Sequence, residues 1–145
     1  MSIRHVAGAA ALVLVAGTGL AGAQDALVAE GEKIYKKCSA CHAVGAEAKN
    51  KIGPQQNDLI GRVAGTAEGY KYSTAMIAAG EAGLVWTEES LAIWLKGPKK
   101  YVKGTKMSFS GLKSDEDIAA IIAYLKTFDS DGMPEAGANT YEPAS

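Results

Sequence analysis

The chain has 145 residues, 48% of them hydrophobic, which is material for one domain and too short for two of ordinary size. Its 15 basic and 16 acidic side chains nearly cancel, at a formal charge of −1, and this excludes the basic excess that nucleic-acid recognition demands. Only two cysteines are present, too few for a structural zinc site built on four Cys or His ligands.

Residues 1–23 read as an export leader. Arg4 supplies the positive start, Val6 to Leu20 is an apolar run broken by glycines, and Ala21-Gly22-Ala23 has the small-x-small cleavage pattern. The run is too short and glycine-rich for a good membrane span. Cleavage after Ala23 leaves Gln24 at the amino terminus, removes Arg4 and so leaves 14 basic against 16 acidic side chains. It also removes His5, so His42 is the one histidine of the mature chain. The expected product is periplasmic and soluble, with no stable membrane insertion and no nucleic-acid partner.

Asp25 is the expected cap of a helix over about Leu27 to Ser39, with Gly31, Ile34, Tyr35 and Cys38 on one face. A glycine inside a helix costs roughly 1 kcal/mol, which close crossing by another helix would offset. Cys38-Ser39-Ala40-Cys41-His42 follows. Two thiols at this spacing, with an imidazole directly after the second, form the pattern for covalent attachment of a c-type haem. Each thiol adds across a vinyl group of the porphyrin, and the imidazole then falls under the ring to bind iron. A thioredoxin-like pair would sit beside a βαβ pattern that is missing here, and a disulfide this short closes too small a loop to stabilise much.

From Ala43 to Tyr72 no periodicity persists, and glycines recur at 45, 53, 61, 65 and 69. A loop of this length needs outside support, which a buried haem would supply. The carbonyls of Gly53-Pro54 are candidates to hold the far nitrogen of His42 and fix its tautomer. Ser73 to Ala79 is expected as a short helix stopped by Gly80. Thr87 opens a clearer one, with Glu88 and Glu89 in its first turn, Leu91, Trp94 and Leu95 buried, and Gly97-Pro98 at its end. Lys99 to Lys113 is expected as a loop without acidic residues. Ser114 starts the final helix, with Asp117 in capping-box position and an apolar stripe of Ile118, Ile121, Ile122 and Leu125. The folded domain thus spans 24–128, and 129–145 reads as an acidic, frayed tail.

With no second histidine, the sixth iron ligand must come from Met76, Met107, Met133 or a lysine. Met133 lies in the tail, and Met76 sits on a helix where core filling is its plain role. Met107 lies in a loop between two well-capped helices, far from His42 in sequence.

The order and spacing of several blocks resemble the class I cytochromes c, above all bacterial cytochrome c2 and mitochondrial cytochrome c. These blocks are Gly31-Glu32-Lys33-Ile34-Tyr35, the Cys38–His42 motif, Gly53-Pro54, Gly61-Arg62, Tyr70-Lys71-Tyr72, Leu84-Val85-Trp86, Pro98-Lys99-Lys100-Tyr101 and Gly104-Thr105-Lys106-Met107. The resemblance covers about Gly31 to Phe128. It implies an all-α fold of four to five helices and long loops wrapped around one haem c, held through Cys38 and Cys41. It also implies His42 and Met107 as axial ligands, Pro54 orienting His42, and Arg62, Tyr72 and Trp86 lining the propionates. Gly31 would let the first helix cross the last near Tyr124 and Leu125. Three positions depart from the family's pattern: Trp94 where tyrosine is common, Lys103 where proline is common, and Gln56 where an apolar residue is usual.

The expected function is one-electron transfer rather than enzymatic catalysis, because a six-coordinate iron leaves no position for substrate. A monomeric carrier would run from a bc-type quinol-oxidising complex to a photosynthetic reaction centre, an oxidase or a peroxidase. Lys36, Lys37, Lys96, Lys99, Lys100, Lys103, Lys106 and Lys113 would form a lysine ring for docking on acidic partners. The rival readings are a haem sensor or peroxidase-like enzyme with a labile sixth ligand, and a haem-free protein with Cys38 and Cys41 as a disulfide.

Overall fold

The structure, a computed structural model, describes residues 19–129 and 139–144. Most of the expected leader, His5 included, and Met133 lie outside the described residues. Five helices are present among those described: α1 Gly19–Tyr35, α2 Thr74–Glu81, α3 Glu88–Lys96, α4 Pro98–Tyr101 and α5 Asp115–Lys126. The only β feature among them is an isolated antiparallel bridge between Val63 and Val85.

Helix α1 differs from expectation at both ends. It begins before Asp25 because the alanine-rich stretch around the Ala23 site continues the helix, alanine being the strongest helix former. It stops at Tyr35 rather than Ser39 because the chain tightens into turns there. The Cys38 amide bonds to the Tyr35 carbonyl at 2.8 Å, and the Cys41 amide to the Cys38 carbonyl at 3.0 Å, the spacing of 3₁₀ turns. The two thiols therefore sit on a tight turn beyond the helix rather than on its face.

The later caps follow the sequence closely. Ser73 accepts from the Met76 amide at 3.1 Å, and α2 runs past Gly80 to Glu81. Gly80 belongs inside this helix because the Ala64 carbonyl oxygen lies 2.0 Å from where its Cβ would be. Thr87 and Ser90 form a reciprocal capping box on α3, and Glu88 and Glu89 favour its positive end. Ser114 caps α5 through the Asp117 amide. Pro98 opens α4, a short helix inside the expected 99–113 loop. Its missing N–H is harmless at that position.

The organising contact is the crossing of α1 and α5. A Cβ on Gly31 would lie 2.0 Å from the Ala120 carbonyl oxygen and 2.7 Å from Tyr124 Cβ, so only glycine lets the two backbones come this close. The rings of Tyr35 and Tyr124 meet beside it at 5.4 Å. Around this crossing Ile34, Leu84, Leu91, Leu95, Ile121 and Leu125 form the core.

The 43–72 segment is held by polar clasps. Asn57 and Gly45 exchange two hydrogen bonds of 2.8 Å. The Leu59 amide donates to Asp129 at 2.9 Å, and Arg62 and Trp86 are tied through backbone bonds beside the Val63–Val85 bridge.

Residues 139–144, expected within a frayed tail, pack back on the domain. Asn139 accepts from the Val85 amide at 3.2 Å, the Thr140 amide donates to the Gly83 carbonyl at 3.2 Å, and the Tyr141 hydroxyl donates to the Tyr101 carbonyl at 3.1 Å. The Tyr141 and Tyr101 rings meet edge to face at 5.4 Å. Tyrosine and asparagine are what a polar-looking tail needs to anchor itself.

Candidate functional site

A cavity of about 280 Å³ opens between the Cys38–His42 turn, the 52–72 loop, the faces of α3 and α5, and the 105–109 loop. Cys38, Cys41, His42, Pro54, Arg62, Tyr72, Trp86 and Met107 all line it. The fold thus brings together every expected haem-contact residue.

His42 is oriented from behind. Its Nδ1 lies 2.8 Å from the Pro54 carbonyl oxygen, which fixes the proton on Nδ1 and leaves the Nε2 lone pair for a metal. Burial pushes the His42 pKa down, against the opposing pull of the Pro54 bond, so the ring is neutral, as a ligand must be. Gly53 makes this geometry possible. A Cβ there would lie 2.4 Å from His42 Cε1, and the Gly53 amide donates to the Cys41 carbonyl at 2.8 Å.

The two cysteines are free. Burial pushes the Cys38 thiol up to about 11, so it is a protonated S–H rather than a reactive thiolate. Cys38 and Cys41 would be the residues to hold a haem through its vinyl groups.

At another part of the wall Arg62 donates through Nη1 to the Asn57 carbonyl at 3.3 Å and through Nη2 to the Gln55 carbonyl at 3.1 Å. Its Nε is buried with no partner. Tyr72 accepts from the Ala67 amide at 3.3 Å, which leaves its own proton to donate. Trp86 is buried, and its ring meets that of Trp94 at 5.3 Å. Trp94 thus joins the cavity wall as half of an indole pair.

Of the candidate sulfur donors, Met76 and Met107 both line the cavity. Met76 is a core residue of α2, 6% exposed, whereas Met107 is half-buried on a loop. Its amide is held by Thr105 Oγ1 at 3.2 Å. The adjoining Lys106 reaches across the cavity mouth, Nζ donating to the Lys71 carbonyl at 3.1 Å and near that of Tyr72 at 3.4 Å.

These residues fit a haem. Two thiols, a neutral imidazole with a free nitrogen and a thioether suit its vinyl groups and iron. The orphaned Arg62 N–H suits a carboxylate, and Leu59, Leu91, Leu95, Ile121 and Leu125 give the ring an apolar cage. Among the described residues, no cluster of three His, Cys, Asp or Glu could hold a bare metal ion.

Two supports of the site carry no sequence motif. Lys51 Nζ donates to the Ser39 carbonyl and approaches that of His42 at 3.5 Å, and the Asn57–Gly45 clasp closes the loop behind the imidazole. Neither has a local signal, since each depends on where a distant carbonyl falls. The apolar wall was visible as the stripes of two helices, though not as the wall of a site.

A family profile described as cytochrome c matches residues 28–129. The chain is 60% identical over 117 residues to cytochrome c2 of Afifella marina, covering 81% of this chain and 94% of that one. It is 52% identical over 98 residues to cytochrome c2 of Agrobacterium tumefaciens strain II Chrys, covering 68% and 88%. Among solved structures it is similar to cytochrome c2 from Rhodospirillum centenum, with a TM-score of 0.68 and 40% identity over 70% of this chain and 98% of that one. Cytochrome cH from Methylobacterium extorquens gives a TM-score of 0.63 at 42% identity, covering 69% and 97%.

Proposed function

The chain belongs to the bacterial class I c-type cytochromes, related to the cytochromes c2 and c-550, and on that footing we propose that it carries electrons through the periplasm from a bc-type quinol-oxidising complex to a reaction centre, an oxidase or a peroxidase. It is an electron carrier and not an enzyme, and its cofactor is haem c. The haem supplies a reversible ferric–ferrous couple.

The chain's own residues confine that couple to electron transfer. Cys38 and Cys41 anchor the ring, His42 offers Nε2, and the Pro54 carbonyl holds the Nδ1 proton. Met107 would hold the iron through its thioether sulfur, the imidazole's counterpart. It sits on a loop fastened at Thr105 and Lys106, while Met76 is committed to the core of α2. Arg62 and Tyr72, both on the cavity wall, would be the residues to hold the propionates. The indoles of Trp86 and Trp94 and the leucine and isoleucine wall exclude water, which limits reorganisation between the two oxidation states.

The observation that carries this reading is the His42–Pro54 bond facing a cavity that Met107 also lines. The test is a redox titration of the purified protein followed optically, with Met107→Ala and Met76→Ala beside the parent. Met107→Ala loses the far-red sulfur-to-iron band of the ferric protein, and Met76→Ala keeps it. The reverse pattern would assign the ligand to Met76, and a band untouched by either would sink thioether ligation.

Export by a leader ending at Ala23 delivers the chain to this compartment. Among the described residues, no helix is long and apolar enough to cross a membrane. Docking uses exposed lysines, of which Lys37 and Lys106 line the cavity. Lys36, Lys99, Lys100, Lys103 and Lys113 are exposed. Lys37 lies 4.0 Å from Asp117, Lys96 lies 2.8 Å from Asp115, and Lys106 is tethered to the Lys71 and Tyr72 carbonyls. The untethered group supplies the steering charge of a monomeric carrier. Its signature is an association rate that falls as salt rises, because a Debye length of about 10 Å at 0.1 M screens such exposed charges.

A further inference from the structure

Residues 139–144 meet the domain at two points that border the cavity. Asn139 Oδ1 accepts from the Val85 amide at 3.2 Å, one residue before Trp86 of the cavity wall. Its Nδ2 lies 3.5 Å from the Tyr101 hydroxyl. The Tyr141 hydroxyl donates to the Tyr101 carbonyl at 3.1 Å, and the two rings meet edge to face. One short strap thus holds Tyr101 by its backbone and its ring, with Asn139 beside its hydroxyl. Gly83 makes room for the strap. A Cβ there would lie 2.1 Å from Thr140 Oγ1, and the Thr140 amide donates to the Gly83 carbonyl. Tyr101 ends α4, a single turn whose last carbonyls find no partner within the helix. The loop that carries Met107 starts from it. The Thr105 amide donates to the Val102 carbonyl at 3.2 Å, and Thr105 Oγ1 accepts from the Met107 amide at 3.2 Å. The loop's other root is the Leu112 amide, bonded to the Leu95 carbonyl at 2.8 Å.

We propose that this strap positions the thioether ligand: by pinning Tyr101 to the Gly83–Val85 segment, Asn139 and Tyr141 keep the Met107 loop shut. This rests on the haem-carrier reading above. Neither residue lines the cavity, so both are positioning residues that act through Tyr101. Lys106 also ties the loop, to the Lys71 carbonyl, but that bond is exposed and competes with water for little net gain. The root at Tyr101 and Val102 is buried, at 4% and 1% exposure. Without the Tyr141 hydroxyl the Tyr101 carbonyl loses its partner in a buried place, which costs more than an ordinary bond returns. Swinging the loop outward lets water satisfy that carbonyl, so release of the strap favours the open loop. An added iron ligand then binds in proportion to the open fraction.

The test is the affinity of the ferric holoprotein for imidazole, which competes with the thioether, read from loss of the far-red band in the parent, Tyr141→Phe and Tyr141→Ala. Tyr141→Phe keeps the ring and loses the hydroxyl, and it binds imidazole about three- to tenfold more tightly, the worth of one net hydrogen bond. Tyr141→Ala also loses the ring contact and binds at least as tightly as Tyr141→Phe. In both, the Thr105 amide exchanges with deuterium faster than in the parent, while the Leu112 amide at the other root keeps its rate. A rise in affinity confined to Tyr141→Ala keeps the strap and assigns its grip to the ring. A strap that only added to overall stability would lower the melting temperature and leave imidazole binding alone. An affinity of Tyr141→Ala within about twofold of the parent's, or weaker, therefore overturns the proposal. Should Tyr141→Ala not fold, Tyr141→Phe decides by the same criterion. A parent without the far-red band, or one that keeps it in Met107→Ala, would instead overturn the ligand assignment on which the strap's role rests, and the two failures are thereby distinct.

Discussion

Replacing Gly31 by alanine tests the contact on which the fold turns. In a solvent-facing helix the change would stabilise, because glycine costs roughly 1 kcal/mol relative to alanine in a helix interior. Here the added Cβ would lie 2.0 Å from the Ala120 carbonyl oxygen and 2.7 Å from its carbon, where ordinary contact begins at 3.4 Å. The obstacle is the backbone of α5 and not the tip of a flexible side chain. Helices α1 and α5 must move apart, which loosens Ile34, Tyr35 and Ile121 together. Overpacking of this kind costs about 1–3 kcal/mol, and a backbone clash belongs at the upper end. Setting about 3 kcal/mol against about 1 leaves a net loss of about 2 kcal/mol. At about 4–8 °C per kcal/mol for a domain of this size, the Tm falls by roughly 10 °C. The assay is thermal unfolding of the ferric holoprotein followed by far-ultraviolet circular dichroism. Glu32→Ala, an exposed neighbour on the same helix, serves as control and stays within about 0.5 kcal/mol. A Gly31→Ala protein that melts at or above the parent's temperature would refute the close-crossing argument.

The Tyr35 hydroxyl is buried without a partner, and burial holds its pKa well above the usual tyrosine range. Tyr35→Phe is therefore expected to raise stability by about 1 kcal/mol in guanidinium titrations, and a loss would mean the hydroxyl is satisfied in solution. Burial also raises the Asp129 pKa above 3.8, so the native state favours its protonated form. That contribution to stability is full below the unfolded value and is lost as pH rises through the native one. Asp129→Asn keeps an acceptor for the Leu59 amide, and its stability advantage over the parent is expected to widen from below pH 3.8 upward and then level off. A gap flat in pH would contradict this. Tyr141→Ala removes an edge-to-face ring contact and a hydrogen bond to the Tyr101 carbonyl, for an expected loss of about 1–2 kcal/mol. Unchanged denaturation midpoints would show the returning segment to be energetically idle.

What was legible in the sequence was what short-range chemistry writes. Ser73, Thr87 and Ser114 announce helices because a cap is a local hydrogen bond between neighbours in the chain. The Cys38–His42 motif announces its cofactor because covalent attachment demands one spacing. Gly31 could be suspected of a close crossing, although only the fold identifies Ala120 and Tyr124 as what it avoids. The ends of α1 were misjudged for opposite reasons. The alanines around Ala23 extend the helix where an acidic cap beckoned, and the turns at Tyr35 end it where apolar spacing continued. The packing of 139–144 was invisible, since Asn139 and Tyr141 find their partners dozens of residues away, at Val85 and Tyr101. The same limit hid Lys51 and Asn57 behind His42.

Haem and fold are coupled by volume as well as by ligation. The cavity is about 280 Å³ and its walls include Leu91 and Leu95 of α3 and Ile121 and Leu125 of α5, the side chains that also make the core. At about 24 cal/mol per Å³ of unfilled space, a dry cavity of that size would cost about 7 kcal/mol. A domain holds only about 5–15 kcal/mol in total. Admitting water instead would wet the apolar face that joins α3 to α5. Either course removes most of the margin, and the clasps of the 43–72 loop do not restore it because they lie behind the cavity rather than across it. Haem-free chain, obtained by replacing Cys38 and Cys41 with serine, is therefore expected to show little native helical signal and no cooperative melting transition. Cooperative unfolding of that chain near the holoprotein's temperature would mean that the helices sustain themselves without a filled centre.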